Sequence, residues 1–428
     1  MVWQFIEVFK KIAGNGVEDD DWTDRLSRRQ TIIILLIFCI LVGSSQFVGS
    51  PISCWCPAHF SGSMTSYANS ICWIANTYYV PLADNSKLPG PNDAKEFRIN
   101  YYQWVPFILV TMAFLFYVPF AIWRLLSKHH SIHTKSVMKI ITSMDQTSSE
   151  SREKSINTIC KIIDRSIEVN RDWKDLSCLG VLRNFINRKT GGSYIVRIYM
   201  ATKVLYILNV VGQLFALNYF LYSRNIIFGY EFLTDIINGR DFWESSRFPR
   251  VTMCDFTIRT LGENNHRNTI QCTLPINLFN EKIFMFLWFW LVLVSTLSAY
   301  SCLTWFFNFT PNSCNSFVRR YLNIGERYSS YSNHILPLTN TNASSTPHGC
   351  IDTNSLNKFI SDYLRKDGVF LLRIIKKNSN DLVVGELISE LWMNYKRTST
   401  KYNQNNEELI DKETEKLTND NTPNGYHA

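Results

Sequence analysis

The chain has 428 residues, 46% of them hydrophobic and 19% charged, with a formal net charge of +8. That length would hold two or three soluble domains, and the mean hydropathy of -0.08 is that of a soluble protein. The average conceals segregation, which excludes an ordinary soluble fold: no Asp, Glu, Lys or Arg lies between Arg29 and Asp84, or in 99–123, 204–223 and 283–318.

Taken in order, residues 1–30 open with Trp3, Phe5, Ile6, Phe9 and Ile12 at mixed helical spacing, either a short amphipathic helix or a segment lying on a membrane surface. The acidic run Glu18-Asp19-Asp20-Asp21 precedes the first apolar span (31–48) and argues for a signal anchor over a cleaved leader. Loop 49–103 carries Cys54-Trp55, Cys56 and Cys72-Trp73, and closes on Tyr101-Tyr102-Gln103-Trp104-Val105-Pro106. Two tyrosines and a tryptophan at the edge of an apolar run suit a bilayer interface. Span 104–126 contains Pro119, which predicts a kink.

Segment 127–195 is polar, with Val137, Ile140, Ile141 and Met144 on one helical stripe and Ile159, Ile162, Ile163 and Ile167 on another. Its His129, His130 and His133 are solvated basic residues or, on a sharper reading, a pH sensor. Span 196–222 includes Lys203, near enough to one end to snorkel, and Asn209 and Gln213, which face neighbouring helices or a pore. Loop 223–282 holds Phe248-Pro249-Arg250-Val251-Thr252-Met253-Cys254, Cys272 and Leu274-Pro275-Ile276-Asn277. Span 283–307 leads to a helical segment, 308–397, containing Asp367-Gly368-Val369-Phe370-Leu371-Leu372-Arg373, and residues 398–428 form a polar tail expected to be disordered.

Four runs of this kind match the length needed to cross an apolar core of about 30 Å. Basic residues crowd 127–193 and are sparse in 49–103, so both termini and the middle segment are expected on the cytosolic side. The positive charge is then a topological signal rather than a nucleic-acid footprint. Membrane lipid is an expected partner; nucleic acid is not. No C-x-x-C, H-E-x-x-H, G-x-x-x-x-G-K-[ST] or G-x-S-x-G occurs, so an enzyme reading has no residues to rest on and no metal or cofactor is expected. Cys54 to Cys72 and Cys254 to Cys272 have equal separations, 72 - 54 = 272 - 254 = 18. Four cysteines allow three pairings, and spacing does not choose among them.

The YYQWVP hexapeptide, the F-P-R-V-T-x-C and C-x-L-x-I-N patterns and the DGVFLLR stretch together resemble the innexins, the gap-junction proteins of invertebrates. The resemblance runs to about Trp392; Cys56 has no counterpart in the family pattern. It implies a mainly α membrane protomer with four transmembrane helices. The extracellular loops would be disulfide-tied, with a short helix and small antiparallel strands, beneath which lies a helical cytoplasmic dome. It further implies bridges between the loops, Cys54 with Cys272 and Cys72 with Cys254, leaving Cys56 as a free thiol or an alternative partner. Met1, Val2 and Trp3 would line the pore mouth. Protomers would form a homo-oligomeric ring, of eight subunits by family analogy, or a mixed ring with other innexins, docked to a second ring in the adjacent cell. The expected function is passive passage of ions and small metabolites through a wide pore. Two rivals stay open: a large-pore channel in a single membrane, and a non-conducting four-span adhesion or scaffold protein.

Overall fold

The computed structural model describes residues 20–80, 98–127, 134–144, 149–172, 193–220, 248–259, 264–335 and 353–398, with isolated positions 234, 237, 262 and 400. Met1, Val2 and Trp3, the three histidines after the second span, and the tail from 401 lie outside them. The described residues divide into two compact units, one taking those within 22–123 and 201–302, the other those within 20–21, 124–200 and 303–400.

Four helices are long and apolar enough to cross a membrane: α1 (Trp22–Phe47), α3 (Val105–Ser127), α6 (Tyr194–Phe220) and α7 (Pro275–Asn308). At most 33% of the most apolar window of each is buried within the chain. Ile40, Leu41, Phe107, Phe114, Leu208, Phe215 and Leu303 are exposed, a surface that lipid or neighbouring protomers must cover. The helix α1 starts at Trp22, ahead of the expected boundary at residue 31, because its first-turn charge is neutralised. Asp24 receives a 2.8 Å hydrogen bond from Lys203 Nζ, which also donates to Ser301 Oγ at 2.8 Å and Thr23 Oγ1 at 3.3 Å. Lys203 is 2% exposed and does not snorkel. A charge in a dry bundle persists only when paired and hydrogen-bonded, as this one is.

A π-helical turn, Leu26–Gln30, widens α1. There Thr31 Oγ1 donates to Leu26 O at 3.2 Å and accepts from Trp290 Nε1 at 3.0 Å. Gln213 is buried and donates to Met112 O of α3 at 3.3 Å, a helix-to-helix role rather than a pore-facing one. Similarly, α7 starts at Pro275, where a proline fits the first helical position, rather than at residue 283.

The rest of the first unit is a five-stranded antiparallel sheet, ordered β1-β5-β4-β2-β3. It comprises β1 (Ser53–Trp55), β2 (Thr77–Tyr78), β3 (Arg98–Ile99), β4 (Val251–Arg259) and β5 (Asn265–Thr273). The helix α2 (Gly62–Ala75) packs on it and is capped by Ser61, whose hydroxyl accepts from Met64 N. Of these strands only the β4–β5 hairpin is long, with Val251 opposite Thr273 through Arg259 opposite Asn265.

The second unit is helical: α4 (Thr134–Ser143), α5 (Ser149–Asp172), α8 (Pro311–Ile335), α9 (Thr353–Lys358, with a π-helical continuation Phe359–Leu364), α10 (Arg365–Asn378) and α11 (residues 381–398). The two sequence stripes point inward, with Val137, Ile141, Ile159 and Ile163 buried. From Asp367 to Leu372 every residue is buried. Phe370 meets the rings of Tyr199, Trp305 and Phe309 at centroid distances of 4.9, 5.6 and 6.1 Å.

Candidate functional site

The sheet is where the two loop segments become one object. Register places Cys54 opposite Cys272 across β1 and β5, and their sulfurs are bonded. The helix α2 carries Cys72 to Cys254 on β4, and these are bonded as well. The sulfurs of Cys54, Cys72 and Cys272 lie within 4.8 Å of one another, a spacing that would suit a metal. Here it follows from two bridges lying side by side, and sulfur atoms spent on disulfides are not thiolate ligands. Cys56 is free and half-buried against the same apolar cluster. Cys39, Cys160, Cys302 and Cys314 are also free. Cys178 and Cys350 lie outside the described residues.

The YYQWVP hexapeptide divides its work. Tyr102 is fully buried: its ring lies 4.7 Å from that of Trp73 and its hydroxyl donates to Trp73 O at 3.3 Å. Gln103 Nε2 donates to the same carbonyl. Gln46 Nε2 at the end of α1 donates to Tyr102 O at 2.7 Å. Tyr101 packs edge-on against Phe220 and Phe248. Only Trp104, 61% exposed, is placed like a belt residue, while Val105 and Pro106 are buried at the start of α3. The motif is thus mainly a junction joining α1, α2, α3 and the sheet.

The second loop is fastened to α7 in a similar way. Leu274 N donates to Arg250 O at 2.8 Å, Asn277 Nδ2 to Pro249 O at 2.9 Å, and Arg250 pairs with Glu281 at 3.2 Å. Phe248 stacks on Phe284 with 6.0 Å between centroids. On the sheet, Asp255 accepts from Tyr78 Oη at 3.0 Å and from Arg267 at 2.7 Å. Burial, with the Asp255 contact second, pushes the Tyr78 hydroxyl up to about 12, so it stays a donor at any physiological pH. The hairpin end around Asn264, Asn265 and His266 is exposed.

In the helical unit, Asp367 reaches the first turn of α6, accepting from Tyr194 N at 3.0 Å and Val196 N at 3.2 Å. A carboxylate there satisfies donors that no helix turn can pair. Asp21 accepts from Trp305 Nε1 at 2.9 Å and from Lys377 Nζ at 2.8 Å. Sequence reading marked Asp21 only as part of an acidic run; partners so far along the chain left no local signal.

Four apolar helices with two loop segments cross-linked into one sheet define a multi-pass membrane protein with a single structured cap. The innexin family profile matches residues 20–395. Innexin unc-9 of Caenorhabditis elegans is 39% identical over 379 residues, covering 88% of this chain and 92% of that protein. Innexin-19 of Caenorhabditis briggsae is 34% identical over 93% of this chain and 91% of its own length, and Innexin-11 of C. elegans is 35% identical over 92% and 82%. The chain belongs to the innexin family, a family of channel proteins, and as such it is a gap-junction channel subunit.

Proposed function

We propose that the protein works as a ring of eight protomers, alone or mixed with other innexins, docked through its sheets to a ring in the adjacent cell. Both termini and the 127–195 segment are cytosolic in this reading, Met1, Val2 and Trp3 line the pore mouth, and the sheet faces the extracellular gap. The observation that carries it is the cross-linked sheet, whose exposed Asn265 and His266 offer a surface for a second copy. Every Asn in the two loops lacks Ser or Thr two positions on, so no glycan would hold two rings apart. Transport is passive, with selectivity set by ring charge and constriction size.

The test is coupling between paired cells that both express the chain. Arg267 is committed to Asp255, so the better change is His266→Thr at an exposed position, which turns Asn264-Asn265-His266 into an acceptor sequon. Glycosylated His266→Thr should lose junctional coupling while keeping single-membrane currents. Wild-type pairs with normal surface currents and no coupling would favour the single-membrane reading. Epitope tags on Met1 and Ala428 should need permeabilised cells for detection; a tag on Ala428 readable from outside would overturn the orientation.

A further inference from the structure

The outer face of α8 carries a basic groove that no part of the channel reading uses. Ser316, Arg319, Arg320, Asn323, Ile324 and Arg327 line a concavity of about 420 Å³. The other face of the helix is fixed, with Cys314, Val318, Tyr321 and Leu322 buried. Gly325 lies so close to Gly385 that a Cβ there would stand 2.5 Å from the Gly385 carbonyl oxygen, which holds α8 against α11 with little freedom to roll. Arg319, Asn323 and Arg327 follow one another at four-residue steps, about 6 Å each along the axis, with Arg320 beside them.

All three arginines are exposed, and none makes an ion pair among the described residues. Other basic groups here do find carboxylates: Arg152 pairs with Glu386 at 3.3 Å and Lys377 with Asp21 at 2.8 Å. No carboxylate stands among the groove's described lining residues. What the groove presents is three guanidinium forks, a carboxamide and a hydroxyl on a fixed frame.

We propose that this groove binds a multiply phosphorylated anion, an inositol polyphosphate or the inositol phosphate headgroup of a lipid. Guanidinium forks match phosphate oxygens two at a time, and each phosphate brings up to two charges to a compact site. An inositol ring carries its phosphates around its edge. Spaced guanidinium groups would engage separate phosphates on such a ring. The inference does not depend on the pore, so it can fail while the junction reading holds, and the reverse.

The experiment uses the full chain, assembled in nanodiscs of neutral phosphatidylcholine and titrated calorimetrically with inositol hexakisphosphate. The triple variant Arg319→Gln, Arg320→Gln, Arg327→Gln should weaken binding by about tenfold or more, because each fork contributes charge-assisted hydrogen bonds. A control triple, Lys135→Gln, Lys139→Gln, Lys161→Gln, removes equal charge from exposed positions on α4 and α5 and should leave binding unchanged. Arg319→Gln alone should show a smaller loss if the triple assembles poorly. Repeating the titration with phosphatidylinositol bisphosphate in the nanodisc separates the sources: weakened soluble binding assigns the groove to the lipid headgroup, unchanged binding to the soluble anion. Equal losses in the two triples would reduce the effect to general electrostatics and overturn the proposal, as would no wild-type binding. Binding that emerges only after removal of 401–428 would also overturn it, making the tail's Glu407, Glu408, Asp411, Glu413 and Glu415 the occupants.

Discussion

The cross-linked sheet and the helical unit are held together by different physics. In the sheet, β1 has three residues and β2 and β3 have two each, too short to bury much apolar surface. Two disulfides take over, joining points 218 and 182 residues apart in the chain. In the helical unit the described cysteines, Cys160 and Cys314, are free and buried, and burial pushes the Cys160 thiol up to about 12, far from the reactive thiolate. Cohesion there comes from close-packed apolar side chains, a glycine-to-glycine contact and buried carboxylates with named donors. Disulfides survive in an oxidising compartment and free thiols in a reducing one. A small fold on few strands needs staples, whereas a unit with a full core does not.

The largest expected effect falls on the staples. Cys54→Ser and Cys72→Ser should each cost about 2–5 kcal/mol and abolish channel formation, read as loss of surface-delivered oligomer and of coupling. The comparison breaks if either variant couples cells normally, since the hydrogen-bond ladder of β4 and β5 would then suffice.

Acid should act on the helical unit instead. Burial pushes the Asp367 carboxyl up to about 6, against the opposing pull of the Val196 and Tyr194 N–H groups and of Arg197. Its folded value thus exceeds its ordinary 3.8, and between those limits the folded chain holds a proton that the unfolded chain has released. The contribution to stability is fully present below pH 3.8 and is lost as pH rises through about 6. Its size is at most about 3 kcal/mol, from (6 - 3.8) × 1.36. Thermal unfolding should therefore show a gain between pH 7 and pH 5 that is smaller in Asp367→Asn. Equal pH dependence in the two proteins would remove Asp367 from the account.

The two regions were also unequally legible. The spans stand out because charge-free runs are a local property of the sequence, and the aromatic hexapeptide marks its own boundary. The start of α1 was not visible, because Asp24 looks like a residue outside a membrane until its partner, 179 positions along, is known. Lys203 looked free to snorkel for the same reason. The roles of Tyr101 and Tyr102 were misread from composition: their rings turn inward because Trp73, Phe220 and Phe248 are there to receive them. Cysteine spacing alone left three pairings open, and the bridges in the structure depend on strand register that no local pattern encodes.

Close packing in the helical unit turns on two glycines that looked unremarkable in the sequence. At Gly325 an added methyl would meet the Gly385 carbonyl oxygen at 2.5 Å, backbone that cannot swing aside. At Gly385 the nearest atoms would be at 3.2–3.3 Å, a mild overlap. Gly325→Ala should therefore cost about 1–3 kcal/mol as an overpacked contact, and Gly385→Ala clearly less. Both substitutions carry the same gain in helix propensity, so the difference between their melting temperatures reports packing alone. Equal effects would mean that α8 and α11 can part without penalty and that the unit is less tightly keyed than the sheet.

The smallest effect belongs to Cys56, which tests whether the staples are specific or whether any cysteine in the sheet would serve. Its thiol is free and half-buried beside the apolar cluster, two positions from Cys54. Cys56 lies one position past the end of β1, which makes it the nearest spare thiol to compete for Cys272. In the structure Cys272 is already bonded to Cys54, its direct register partner. Cys56→Ser removes a weakly interacting thiol from a partly solvated place and should cost less than about 1 kcal/mol, within the range of surface substitutions. Coupling and surface delivery should match wild type. The double variant Cys54→Ser, Cys56→Ser should be no worse than Cys54→Ser alone if Cys56 never replaces its neighbour. Should Cys54→Ser keep some surface-delivered oligomer, against the loss expected above, and the double variant lose it, Cys56 would be rescuing the bridge to Cys272 and the sheet would tolerate a shift in register.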